Sequence, residues 1–465
     1  MESEQQQEYD SFRPIVFTQD RGDVLLLAEK AGFTLPRVEI PRWERVAEKL
    51  TAATRNKYGC GAICLLAPAM TPSSDRDNRC HYQAMECACC GENHTDAVWT
   101  SIQSLTIDSF QDGADYQALE RCVVEFGSCE DDPKVPFARH GWFVALRGWI
   151  TDTIAPLGLQ LSGPFRQLNA SPSFSLIRFE TSGPAVWFKA VGEPNQREFP
   201  ITLELAHSFP DSVPRIIGTK HDWNGWLTLE AQGTNLAETK KITDWKDAAH
   251  ALARLQAESV VRIAPISEAG AHRVGISELA ASVDPFLEVI AELMKRQVKV
   301  SPPPLTQAEL ALLGVRIKDA LTLLDLLGIP DALGHFDLNP WNIIVSEQRS
   351  VFLDWAEAYV GHPLFSLEYL LESFRRVTSG DAQRESQLIA SYCGAWEHLV
   401  PASVIAEARQ HTPLLAAFAY ATGTVAWRDQ QKLQDIPLAG FLRSLARRMN
   451  KEASHCGERR VSCLG

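Results

Sequence analysis

The pattern of apolar and polar positions changes along the chain from strand-like to helix-like. Three short runs alternate with the period of a strand, at residues 165–168, 174–179 and 185–190. Turn residues separate these runs, which predicts three consecutive strands. Beyond residue 233 the apolar positions recur at helical spacing, with helices predicted at 245–259 and 305–327. The pattern predicts an α+β protein with a small sheet lobe followed by a mainly helical lobe.

The first 130 residues show a different alternation of elements. Strands are predicted at residues 14–18, 24–28 and 62–66, and helices at 115–124 and from Pro41 onward. Residues 71–95 are polar and rich in cysteine, which predicts a loop. This order is typical of a small α/β domain that precedes the sheet lobe.

Chemistry-bearing residues concentrate in residues 333–355, LGHFDLNPWNIIVSEQRSVFLDW. Two apolar runs, 343–345 and 351–353, flank a polar turn, which predicts a hairpin. Asp337 precedes the first strand of this hairpin, and Asp354 follows the second. Because a hairpin brings its ends together, we expect Asp337, Asn342 and Asp354 to converge. Oxygen donors of this kind suit Mg²⁺ and phosphate chemistry.

This stretch resembles the signature of the aminoglycoside phosphotransferase and choline kinase group, whose fold is protein-kinase-like. The signature reads H-G-D-x-x-x-x-N, followed by a strand that ends in D-W or D-F. The resemblance implies that Asp337 is the catalytic base, that Asn342 and Asp354 bind Mg²⁺, and that His335 supports the site. The chain departs from the signature at three positions, which are Phe336 for Gly, Asn339 for the frequent His and Trp341 for the frequent Gly.

The three predicted strands resemble the small lobe of this fold. Lys189 then stands on the third strand, where the family has its phosphate-contacting lysine. Glu198 is its expected ion-pair partner, and Glu204 is the rival. The first turn lacks a glycine-rich loop and offers Ser171 and Ser173 to phosphate instead. Glu230 would open the hinge segment, whose backbone binds the nucleotide base in this fold.

The order of elements in residues 1–130 resembles a Nudix domain. The family's signature is G-x5-E-x7-R-E-U-x-E-E-x-G. When it is aligned on Glu44 and Gly59, the metal-binding Glu-Glu pair falls on Asn56 and Lys57. We therefore expect a Nudix-like fold without Nudix hydrolysis; an unrelated α/β domain is the alternative.

Composition narrows the function further. The 465 residues carry a formal net charge of −13, which argues against a general nucleic-acid binder. No apolar run reaches the roughly 20 residues that cross a bilayer, and the N-terminus is polar, so a cytoplasmic location is expected.

Eleven cysteines are spread over the chain. Six of them cluster at 60, 64, 80, 87, 89 and 90, near His81 and His94. Cys87 and Cys90 have the C-x-x-C spacing of half a zinc site, but no second clean pair follows. Reduced thiols are therefore the preferred interpretation, with zinc as the alternative.

The expected organisation is a Nudix-like domain (1–130), a linker with a lead-in helix (131–160), a small lobe (161–232), a large lobe (233–450) and a disordered tail (451–465). The expected function is ATP- or GTP-dependent and Mg²⁺-dependent transfer of phosphate to a hydroxyl of a small molecule. Two alternatives remain. One is a regulatory protein that binds nucleotide without catalysis, and the other is a kinase for protein side chains.

Overall fold

The computed structural model describes residues 8–42, 44–65, 80–90, 97–128, 137, 139–171, 173–423 and 425–462. The chain divides into two compact units. We call residues 1–199 and 215–230 the sheet unit, and residues 200–214 and 231–465 the helical unit. The sheet unit holds a seven-stranded and a five-stranded sheet, and the helical unit holds two three-stranded sheets among its helices. This mixed α+β architecture confirms the predicted fold class.

The N-terminal part of the sheet unit consists of β1 (Tyr9–Phe17), β2 (Asp23–Glu29), β3 (Gly32–Thr34), β4 (Val38–Pro41), α1 (Val46–Tyr58), β5 (Cys60–Cys64), β6 (Cys80–Cys90), β7 (Ala97–Ser101) and α2 (Gly113–Ser128). Its sheet has the order β3-β2-β1-β6-β5, with β4 on β1 and β7 on β2. β1 and β6 are parallel, and the other pairs are antiparallel.

Two predictions for this part are wrong. Pro41 ends β4 opposite Tyr9 and does not open the helix, which begins at Val46. Residues 80–90, predicted as a loop, form β6 between β1 and β5, with Ala84 and Met85 fully buried. Cysteine behaves as a small apolar residue, so a cysteine-rich stretch can serve as an interior strand.

The rest of the sheet unit consists of α3 (Trp142–Ile154), β8 (Leu161–Ala170), β9 (Phe174–Thr181), β10 (Val186–Val191), β11 (Ile216–Lys220), β12 (Gly225–Leu229) and the first two residues of α4 (Glu198–Ser208). The sheet order is β11-β12-β10-β9-β8, all antiparallel. The three strands predicted at 165–190 are confirmed, as is the helix at 142–154.

The two sheets of this unit share one hydrophobic core. Phe143, Leu146 and Ile150 of α3 are fully buried in that core, together with apolar residues of both sheets. The buried side chain of Gln167 on β8 accepts from Cys64 N at 2.7 Å and donates to Cys64 O at 2.9 Å. The N-terminal part is therefore packed onto the edge of the five-stranded sheet. The predicted domain boundaries remain predictions.

The helical unit consists of the remainder of α4 and β13 (Thr234–Asn235), α5 (Ile242–Ser259), α6 (Ile263–Glu268), β14 (His272–Val274), α7 (Ile276–Lys295), α8 (Gln307–Leu327), β15 (Ala332–His335), β16 (Ile343–Val345), β17 (Ser350–Phe352), β18 (Ala358–Gly361), α9 (Leu364–Thr378), α10 (Ala382–Trp396), α11 (Ala402–Ala408), α12 (Thr412–Gly423) and α13 (Ile436–Ser462).

The helix predicted at 305–327 begins two residues later, after the capping residue Thr306. α13 continues to Ser462, where the sequence predicts a disordered tail from residue 451. No helix in the described ranges is long and apolar enough to cross a membrane.

Two small sheets flank residues 336–342 of the helical unit. β15 pairs with β18, which also pairs with β14. β16 and β17 form the predicted hairpin, and β13 pairs with β16. At Gly233, just before β13, φ is +138° and an added Cβ would lie 2.4 Å from Val345 O. Only glycine allows this close approach.

Candidate active site

The Lys189 region lies on β10 of the sheet unit. Lys189 stands opposite Leu176 on β9 and Trp226 on β12. Its Nζ lies 2.6 Å from Glu198 Oε1, and the side chains are 12% and 1% exposed. Glu204, the rival partner, instead accepts from Ser208 Oγ at 2.7 Å. Glu198 is therefore the partner of Lys189.

Two aromatic rings surround this ion pair. The Lys189 ammonium lies 5.2 Å from the centre of the Phe174 ring and 5.9 Å from that of Trp226. Phe199, next to Glu198, stacks on Trp226. Cation–π attraction thus adds to the ion pair with the buried carboxylate in holding the ammonium in place. Sequence reasoning missed these rings, because the strand register brings them to Lys189.

The turn between β8 and β9 carries Ser171 and Ser173. Ser171 N donates to Phe174 O at 3.1 Å, and Phe174 N donates to Ser171 Oγ at 3.3 Å. Ser173 O accepts from Gly192 N at 2.9 Å. These bonds close the turn and tie it to the segment that follows Lys189.

Glu230 ends the sheet unit. Its carboxylate accepts from Arg178 Nε at 2.6 Å and from Trp187 Nε1 at 3.0 Å. The Arg178 hydrogen bonds hold the pKa of Glu230 below its usual value. Its backbone N–H donates to Ala185 O. The side chain and the backbone N–H of Glu230 thus form hydrogen bonds with residues of the five-stranded sheet and the turn before β10.

In the helical unit, His335 organises the loop that follows β15. Asp337 N donates to His335 Nδ1 at 3.0 Å, so Nδ1 is the unprotonated ring nitrogen. His335 Nε2 therefore donates to Leu353 O, at 3.0 Å. The buried imidazole joins the residue before Asp354 to the backbone of Asp337.

Asp337 is exposed, and neutral amides hold both of its carboxylate oxygens. Asn339 Nδ2 donates to Oδ1 at 2.9 Å, and Asn342 Nδ2 donates to Oδ2 at 3.1 Å. The amide of Asn342 also donates to Asp337 O at 2.9 Å, and its backbone O accepts from Leu353 N. The loop therefore brings Asp337 and Asn342 together, next to the segment that leads to Asp354.

Asp354 adopts a left-handed conformation, with φ +61° and ψ 67°. Such a conformation is uncommon outside glycine, although Asp and Asn tolerate it best. Trp355, which follows, is buried with its ring 4.8 Å from that of His335. The D-W pair thus anchors one residue in the core and turns the chain sharply at the other.

Tyr420 of α12 lies beside the Asp337 loop. Its ring centre is 6.0 Å from that of Phe336. Burial raises the pKa of Tyr420, and the negative charges of Glu357 and Asp337 raise it further. Sequence reasoning missed Tyr420, since it lies in an apolar helix with no motif around it.

Six residues that follow the Asp337 loop in the chain carry side chains able to contact an acceptor, at positions 357, 359, 362, 396, 427 and 429. Tyr359, His362, Trp396 and Trp427 are buried side chains of the helical unit. Asp429 accepts from Gln431 N and Lys432 N, at 2.9 and 3.2 Å. Glu357 is related to Asp337, because the negative charges of both residues raise the pKa of Tyr420.

The described cysteines of β5 and β6 include two whose sulfur atoms lie close together. Cys60 Sγ and Cys87 Sγ lie 3.2 Å apart across β5 and β6. Among the residues that the structure describes, no group of three or more His, Cys, Asp or Glu side chains could hold a metal ion. His94 lies outside the described residues. The preference for reduced thiols over zinc remains a prediction.

Comparison with known proteins supports the class of enzyme. Residues 196–401 match the model of a family described as "Phosphotransferase enzyme family". Those residues include Glu198, the Asp337 loop and Asp354. This match agrees with the predicted class of enzyme, a phosphotransferase. No curated protein matches the chain.

Solved structures with similarity to the chain include three small-molecule kinases. A macrolide 2′-phosphotransferase type I is 17% identical, with 64% of this chain and 97% of that chain covered and a TM-score of 0.40. A choline kinase from Streptococcus pneumoniae is 15% identical, with 68% and 99% covered and a TM-score of 0.39. A spectinomycin phosphotransferase in complex with ADP and spectinomycin is 12% identical, with 66% and 98% covered and a TM-score of 0.40.

Proposed function

We propose that this chain transfers the γ-phosphoryl group of ATP or GTP, with Mg²⁺, to a hydroxyl of a small molecule. The observation that carries the proposal is the Asp337 loop. An exposed carboxylate stands there in a fixed orientation, held by His335, Asn339 and Asn342 through the hydrogen bonds described above. Such a group is suited to accept a proton from a substrate hydroxyl.

The candidate site residues have separate tasks in the proposed reaction. Asp337 orients the acceptor hydroxyl and takes its proton. The acceptor oxygen forms a bond to the γ-phosphorus, and the bond between that phosphorus and the β–γ bridging oxygen breaks. Lys189, held by Glu198, contacts the phosphates, and the Ser171–Ser173 turn covers them. The nucleoside diphosphate leaves with the bridging oxygen.

The donor set of the helical unit fits Mg²⁺. The Asn342 amide uses its nitrogen to hold Asp337, which leaves its oxygen as a metal ligand. Asp354 supplies a carboxylate, and two protein ligands are typical of Mg²⁺ bound with substrate phosphates. When bound, the ion neutralises the charge that develops on the phosphate oxygens.

The test is a panel of hydroxylated compounds, including aminoglycosides, macrolides, choline and sugars, assayed for nucleotide consumption. For an accepted compound, Asp337→Ala should lower kcat by roughly 10²–10⁴, the usual contribution of a positioned general base. The affinity for Mg²⁺–nucleotide should stay near that of the unmodified chain, because Asp337 makes no nucleotide contact in the proposal.

Asp354→Asn is the matched variant, because asparagine tolerates the left-handed backbone at this position. It should weaken Mg²⁺–nucleotide binding in calorimetric titration, unlike Asp337→Ala. Unchanged kcat in Asp337→Ala would refute the catalytic assignment. Nucleotide binding with no transfer to any compound, and no effect of Asp337→Ala in cells, would favour the regulatory alternative.

For the N-terminal part we propose a Nudix-like fold that lacks the Nudix reaction. Asn56 and Lys57, which stand at the positions of the metal-binding carboxylates, are exposed on α1. We expect no Mg²⁺-dependent hydrolysis of ADP-ribose or deoxynucleoside triphosphates by the full chain carrying Asp337→Ala. Hydrolysis above background that disappears with EDTA would contradict this.

A further inference from the structure

The side chain of Asn339 both donates and accepts hydrogen bonds, and its nitrogen also reaches Asp337 O, at 3.5 Å. Its nitrogen Nδ2 donates to Asp337 Oδ1, at 2.9 Å. Its oxygen Oδ1 accepts from Trp341 N, at 2.9 Å. The second bond caps the short 3₁₀ turn Pro340–Asn342. One amide therefore joins the carboxylate of Asp337 to the turn that presents Asn342.

We infer that Asn339 is a positioning residue for phosphoryl transfer, in addition to its role as a cap. The inference rests on the proposed function, in which Asp337 accepts the proton of the acceptor hydroxyl. With Asn342 on Oδ2 and Asn339 on Oδ1, rotation of the carboxylate about its Cβ–Cγ bond breaks at least one hydrogen bond. The plane of the carboxylate is thereby held.

The neutrality of the amide matters as much as its geometry. A cationic partner at this position would neutralise Asp337 and weaken it as a base. Each oxygen of an ionised carboxylate has about two acceptor sites, so each retains one after binding an amide. Asn339 thus fixes the direction of the remaining lone pairs and leaves the carboxylate's charge in place.

Two substitutions separate positioning from capping. Asn339→Asp keeps an oxygen that can cap Trp341 N, because Asp and Asn are equally good caps. It loses the donor to Asp337 and places a like charge beside it. Asn339→Ala loses both the donor to Asp337 and the oxygen that caps Trp341 N. Asn339→His can donate through an imidazole N–H, and it therefore serves as the conservative variant.

We expect Asn339→Asp to lower kcat by about 10–100-fold, the equivalent of one hydrogen bond to a charged group. Its thermal midpoint and its affinity for Mg²⁺–nucleotide should stay near those of the unmodified chain. Asn339→Ala should lower both kcat and the thermal midpoint. Asn339→His should keep kcat above that of Asn339→Asp. This split between kcat and stability is not expected from a cap alone.

Full kcat in Asn339→Asp, with a lowered thermal midpoint in Asn339→Ala, would show that Asn339 is only a cap. If Asp337→Ala loses kcat in the same assay, the full kcat of Asn339→Asp overturns the positioning role of Asn339 and leaves the proposed function intact. Full kcat in Asp337→Ala instead overturns both.

If no acceptor is found, NMR of the side-chain amides in ¹⁵N-asparagine-labelled protein decides the positioning role. Asn339→Asp identifies the Asn339 signal. Asp337→Ala should shift that signal, and an unshifted signal would overturn the inference.

Discussion

Lys189 in the sheet unit is 12% exposed and contacts a carboxylate that is 1% exposed. Asp337 in the helical unit is exposed, and among the described residues neutral amides donate the hydrogen bonds to its carboxylate. The first arrangement is a largely buried pair of opposite charges. The second is an exposed carboxylate with neutral hydrogen-bond donors.

This difference indicates that the Lys189 region contributes mainly to the stability of the folded state and the Asp337 region mainly to catalysis. A buried ion pair must stay intact, because removing one partner leaves an uncompensated buried charge. An exposed carboxylate that accepts neutral hydrogen bonds contributes little to the folded state, but its charge remains available. We therefore expect substitution of Lys189 or Glu198 to affect folding and nucleotide binding together, and substitution of Asp337 to affect catalysis alone.

The largest effect should follow Glu198→Ala. Removing this carboxylate takes away a buried partner that lies 2.6 Å from the Lys189 ammonium, and we expect the free energy of unfolding to fall by roughly 3–5 kcal/mol. Asp337→Ala should change it by less than about 1 kcal/mol. Denaturant unfolding followed by tryptophan fluorescence measures both. Equal losses in the two variants would contradict the comparison.

Two controls sharpen this test. Glu230→Gln alters an ion pair with Arg178 on the same sheet whose side chains are 18% and 32% exposed, so we expect a loss of about 1 kcal/mol or less. The double variant Lys189→Met, Glu198→Leu replaces the pair by apolar groups of similar size. It should recover most of the stability without recovering activity.

A smaller effect is expected at Glu86 on β6, a fully buried acid of the same unit for which no described cation is a partner. Gly141 N donates to its Oε2 at 2.7 Å, and Oε1 accepts from no described group. Burial raises the pKa of Glu86 to about 7, although the Gly141 hydrogen bond lowers it in part. Without a cation, burial thus favours the protonated acid.

The sign of the pH dependence follows from this raised pKa. The folded state binds the Glu86 proton more tightly than the unfolded state, whose pKa is near 4.5. The cost of the buried charge is absent below about pH 4.5, grows between 4.5 and 7, and is complete above 7. Glu86→Gln should therefore add about 3 kcal/mol of stability at pH 8 and almost none at pH 4.5. Equal stabilisation at both pH values would contradict this account.

Local patterns were the most predictable part of the site. His335, Asp337 and Asn342 lie within eight positions, and their hydrogen bonds run between residues close in sequence. The hairpin that carries Asp354 follows from two apolar runs and a polar turn. The strand of Lys189 follows from period-two alternation. In each case the information needed is contained in a short stretch of chain.

Non-local contacts were not predictable in this way. The rings of Phe174 and Trp226 reach Lys189 through the register of three strands, and Tyr420 reaches the Asp337 loop from a distant helix. The cysteine-rich residues 80–90 form an interior strand because β1 and β5 flank them. Such contacts depend on which segments become neighbours, and no short window of sequence carries that information.

The sequence by itself determined the chemical groups, their spacing and the type of most elements, because hydrophobic periodicity and short-range hydrogen bonding act within one segment. Only the tertiary structure decided which carboxylates are buried and which stay in water. Burial depends on all the segments that pack around a residue. Burial separates the buried, ion-paired Glu198 from the exposed Asp337, although both are acids whose positions the sequence had already indicated.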